Sequence, residues 1–118
     1  MRIGFVPALA LAGFLSACGG DEAASLGECP TSSMTQQVAG RSVVTQRCSS
    51  CHSSAATGAA RQNAPVGVDY DTLVGVRANT TKGWEQASAG VMPPTGALNA
   101  TDLENLRIFL ACGAPDVQ

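Results

Sequence analysis

Cys48-Ser49-Ser50-Cys51-His52 places two thiols three positions apart, and the next residue is the only histidine in the chain. Three chemistries use such a cluster. A structural zinc ion takes four ligands, most often Cys and His. Only Cys48, Cys51 and His52 are offered locally, adjacent Cys51 and His52 reach one tetrahedral ion together with difficulty, and a fourth ligand would have to be Cys29 or Cys112. A thiol–disulfide exchanger sets its Cys-x-x-Cys between a strand and a helix N-terminus, which lowers the thiol pKa. Here the cysteines close a helical pattern, and no strand pattern precedes them. Covalent haem attachment needs two thiols to add to two vinyl groups and a following imidazole for the iron, and this spacing meets that need.

An iron held by His52 has a sixth position to fill. With one imidazole in the chain, a pair of histidines is excluded. Met92 stands in Val91-Met92-Pro93-Pro94, a proline-stiffened loop that holds a thioether at little ordering cost. The plainer reading of Met92 is loop packing. Met34 begins a helical pattern and suits core or surface instead.

The first residues do not read as folded protein. Met1-Arg2 is a basic tip, and Ile3 to Leu15 is apolar or small apart from Gly4, Pro7 and Gly13. That pattern predicts a secretory signal over 1–17. A spanning helix needs about 20 apolar residues, more than this run supplies. Leu15-Ser16-Ala17-Cys18 resembles the bacterial lipobox. The resemblance implies cleavage before Cys18, a lipid on its thiol, and an exported chain anchored to a bacterial membrane facing the periplasm, inner or outer. The alternative is an ordinary signal peptide cut nearby, with Cys18 a free thiol.

Cleavage there leaves about 101 residues and, with Arg2 gone, moves the formal net charge from −2 to −3. Such a balance argues against a nucleic-acid or anionic-lipid surface. Only Tyr70, Trp84 and Phe109 remain as aromatics. A domain this small with so few large side chains has a thin core, and disulfides, a metal or a large apolar cofactor must supplement it. Five cysteines are an odd number for an exported chain. Lipid on Cys18 and a working pair at Cys48 and Cys51 leave Cys29 and Cys112, which a bridge would join across most of the domain. The alternative is that both are buried, reduced side chains.

The elements that must position these residues are helical. Residues 18–30 are Gly-, Ala- and Ser-rich and predict a flexible tether, followed by a domain over 31–118. Thr31, Ser32 and Ser33 are candidate caps for a first helix over Met34 to Cys48. Arg61 to Val68 is irregular, Tyr70 to Ala78 predicts a short helix, and Thr80 caps a further one through Ala89 to Gly90. Val91 to Asn99 is an ordered loop. Thr101-Asp102-Leu103-Glu104 reads as a capping box, and Leu103, Leu106, Phe109 and Leu110 form an apolar stripe, with Gly113 at a left-handed helix end.

Taken together, Val38 to Gly113 resembles the class I, mono-haem c-type cytochromes. Gly40 stands eight residues before Cys48, as in that family, although Val44 replaces the aromatic often found four residues later. Asp102 to Leu110 matches the family's last helix and offers Phe109 to pack over Gly40. The resemblance implies an all-α fold of three to five short helices around one covalent haem c, bound through Cys48 and Cys51. It implies His52 and Met92 as axial ligands, with the Pro65 carbonyl accepting the ring N–H of His52. The implied function is one-electron transfer with redox partner proteins, by a monomer that is not an enzyme. Alternatives are a five-coordinate haem sensor or a haem-bearing accessory subunit of an oxidoreductase. Trp84 either lines the haem pocket or fills core, and Arg77 and Lys82 either face haem propionates or are solvated surface charge.

Overall fold

The computed structural model describes residues 24–118. The signal peptide expected over 1–17 and the lipidation site expected at Cys18 lie outside the described residues. The described chain is all-α. Helix α1 (Met34–Val43) runs directly into a π-helical turn over Val44–Cys48. A 3₁₀ turn follows at Gly58–Arg61, then α2 (Leu73–Ala78), α3 (Thr80–Ser88) and α4 (Ala100–Ala111).

The principal packing is α1 on α4. It depends on close backbone approach. A Cβ placed on Gly40 would collide with the Asn105 carbonyl and the Phe109 Cβ, so glycine lets the two helices meet. Phe109 is fully buried, and Val43, Val44, Val76, Leu106 and Leu110 join it in one cluster. Trp84 belongs to this cluster. It fills core and, unlike Val44, Val76, Leu106 and Leu110 of the same cluster, does not line the cavity described below.

Several local expectations need correction. Helix α4 starts on Asn99, whose side-chain oxygen accepts from the Asp102 N–H at 2.9 Å. No Thr101–Glu104 box forms, because Glu104 is drawn to Arg107 at 2.7 Å. Asparagine is among the strongest N-caps, and it sits two residues ahead of the expected one. Thr80 does not cap α3 either; its hydroxyl donates back to the Val76 carbonyl at 3.1 Å. Gly113 does take the left-handed conformation, with φ +82°.

The described part of the tether is docked. The Leu26 side chain packs against the core, and its carbonyl accepts from Arg107 Nη1 at 2.6 Å. The Ala24 carbonyl accepts from Trp84 Nε1. Cys29 is bridged to Cys112, their Cα atoms 4.6 Å apart, so these two thiols are the ones that pair. Composition alone suggested a free linker, because the partners that hold this strap lie far along the chain. Arg77 is exposed at the surface, and its guanidinium donates to the Gly113 and Ala114 carbonyls at 2.9–3.2 Å, holding the C-terminal segment.

Candidate functional site

The π-helical turn delivers Cys48 at its last position. The motif then continues in helical fashion, with the His52 N–H bonded to the Cys48 carbonyl at 3.0 Å. Ser49 braces this turn from its side chain, donating to the Val44 and Tyr70 carbonyls at 3.2 and 3.1 Å. π-Helical turns inside α-helices concentrate at functional sites.

His52 is held on three sides. Its Nδ1 lies 2.8 Å from the Val68 carbonyl oxygen. Its own carbonyl accepts the Tyr70 N–H at 2.7 Å, and the Tyr70 ring packs edge-on to the imidazole with centroids 5.1 Å apart. Donation from Nδ1 to a carbonyl selects one tautomer and leaves Nε2 as the lone-pair nitrogen. The carbonyl expected in this role was that of Pro65. Instead the Pro65 oxygen accepts from Arg61 Nη2 at 2.6 Å, and the loop turns so that Val68, three residues on, meets the ring.

Burial pushes Cys48 up to about 11 and Tyr70 up to about 12, the Cys48 thiolate adding to the second shift. A thiol so shifted is a poor nucleophile at neutral pH, the reverse of what disulfide exchange requires. Cys48 and Cys51 are both unbridged. Among the described residues no three His, Cys, Asp or Glu side chains converge as a metal-binding group, so the zinc set considered above is not assembled.

Cys48, Cys51, His52 and Met92 all line one cavity of about 550 Å³. Val44, Val76, Leu98, Leu106 and Leu110 form much of its wall. This volume falls in the range that encloses cofactor-sized ligands. Two free thiols, an imidazole with a fixed tautomer and a thioether facing one apolar cavity are the donor set that a covalent haem needs. The residues therefore fit that group. Lys82 also lines the cavity, as do Arg47, Glu85 and Pro65. Arg77 does not appear in the lining. Arg61 and Val68, which shape the His52 side, carried no signal in helical periodicity or in any short motif; Tyr70 was expected to open a helix that instead begins at Leu73, capped by Thr72.

No family model matches the chain, and neither a curated protein nor a solved structure matches it.

Proposed function

We propose that this chain is a one-electron carrier of the c-type cytochrome kind, exported and lipid-anchored through Cys18. One observation carries the reading: the Cys-x-x-Cys-His and Met92 share a single apolar cavity of about 550 Å³. A bound haem c supplies an Fe(III)/Fe(II) couple whose potential is raised by imidazole and thioether ligation. The chain's residues do the rest. Cys48 and Cys51 hold the group covalently. His52, fixed by Val68 and Tyr70, presents Nε2, and Met92 presents its sulfur. The apolar wall excludes water and supplies a low dielectric, and the haem supplements a core poor in large side chains. None of these residues makes or breaks substrate bonds, so the protein is a carrier rather than an enzyme, working as a monomer with redox partner proteins.

The test is production of the chain alongside c-type haem maturation machinery. The expected product has gained the mass of one haem, keeps its colour on the polypeptide after denaturation, and loses it in Cys48→Ser with Cys51→Ser. A colourless, haem-free protein would overturn the reading. Rapid carbon monoxide binding by the reduced protein would favour an open-site sensor. Reduction only inside a larger purified complex would favour the accessory subunit.

A further inference from the structure

Arg61 stands in the stretch between His52 and Val68 and is 6% exposed. Buried arginines are rare unless paired. Its guanidinium has five N–H donors, and each has an acceptor. Nε donates to the Ala64 carbonyl at 3.1 Å. Nη1 donates to the Ser53 carbonyl at 2.6 Å and, more weakly, to that of Ala56 at 3.4 Å. Nη2 donates to the Pro65 carbonyl at 2.6 Å and to Asp69 Oδ1 at 2.8 Å. The acceptors are not scattered. Ser53 follows His52 directly, and Asp69 follows Val68 directly. One cation therefore clamps the residue after the imidazole to the residue after the carbonyl that the imidazole meets.

We infer that Arg61 is the positioning residue for His52, fixing its tautomer and orientation by clasping Ser53 and Asp69 so that Val68 accepts the Nδ1 proton. The clasp is argued from this chain's own residues; the redox consequence rests on the reading above. Lysine does not replace this fork, since its ammonium is a compact point charge with three donors. Loosening the clasp weakens the Nδ1–H to carbonyl bond. That bond raises the basicity of Nε2, and a more basic Nε2 favours the oxidised ion, so a looser clasp raises the potential.

The chain has one histidine, so histidine-selective ¹⁵N labelling of the full protein gives a single imidazole to observe, haem-loaded and reduced or as isolated. The wild type should show the Nδ1–H tautomer with a slowly exchanging ring proton. Arg61→Lys should keep the charge and any covalent haem, while speeding that exchange by about tenfold or more, as expected for losing a hydrogen bond to a charged group. Where haem is attached, its midpoint potential should also rise. Unchanged exchange and tautomer in a folded Arg61→Lys protein would overturn the inference, as would a wild type in the other tautomer. Should Arg61→Lys not fold, Asp69→Asn decides on the same readout: it leaves the four carbonyl contacts, and it should speed exchange by less. A wild type that folds without haem, giving a well-dispersed spectrum, would refute the carrier function and leave this readout intact.

Discussion

Gly40 of α1 lies against Phe109 of α4 with no room for a Cβ between them. The contact joins the helix that runs into the π-helical turn ending at Cys48 to the helix whose Leu106 and Leu110 wall the cavity. Gly40→Ala gains about 1 kcal/mol of helix propensity. It also drives a methyl into the Asn105 carbonyl, a backbone atom of a packed helix, and overpacking costs about 1–3 kcal/mol or more. The net outcome should be a lower melting temperature, read by circular dichroism. Phe109→Ala should cost more, about 3–5 kcal/mol. A Gly40→Ala protein as stable as wild type would mean that the helices separate easily.

The bridge between Cys29 and Cys112 closes a loop with a sequence separation of 83. Chain entropy assigns such a loop roughly 4 kcal/mol. Cys29→Ser with Cys112→Ser should shift the urea midpoint down by an amount of that order, and non-reducing peptide mapping of the wild type should recover one cross-linked pair. Two alkylatable thiols at these positions would contradict the bridge.

Part of this architecture was legible in the sequence for physical reasons. An apolar stripe at helical spacing is a local pattern, and α4 follows from it; the contact of Gly40 with Phe109 was implied by the family resemblance alone, and the first helix, expected to run to Cys48, is α-helical to Val43 and π-helical beyond. The Asn99 cap was missed because Thr101 and Glu104 offered a competing box that Arg107 dissolves. Arg61 was not legible at all. Its five acceptors are mostly backbone carbonyls, which every residue carries, so no residue type announces them. Residues 24–30 misled in the same way: a Gly/Ala/Ser composition says nothing of Trp84 and Arg107 waiting far along the chain.

A core that meets a cavity of about 550 Å³ should depend on what fills it. Protein carrying Cys48→Ser and Cys51→Ser, made without attached haem, should unfold with low cooperativity and show poorly dispersed NMR spectra. Sharp, well-dispersed spectra from that protein would contradict a structural contribution from haem.

Replacing Cys18 with Ser should leave the haem domain folded and move it from the membrane to the soluble fraction. With Ala24 docked on Trp84, only residues 18–23 separate the proposed lipidation site, Cys18, from the domain surface. Fully extended, they reach about 20 Å. Inserting a longer flexible linker there should widen the range of partners reached without altering the haem spectrum. Membrane association that persists in Cys18→Ser would argue against lipid as the anchor.

The most direct test is Met92. With its sulfur bound, the oxidised wild-type protein should show a weak far-red sulfur-to-iron band. Met92→Ala should abolish that band, retain the haem on Cys48 and Cys51, admit external ligands, and lower the potential, because a thioether favours Fe(II). A fall of about 100 mV corresponds to roughly 2.3 kcal/mol for one electron, since about 59 mV is tenfold for such a couple. Measured together by redox titration and absorption, loss of the band with a fall in potential is the predicted result; a Met92→Ala protein whose band and potential match the wild type would contradict His52–Met92 ligation.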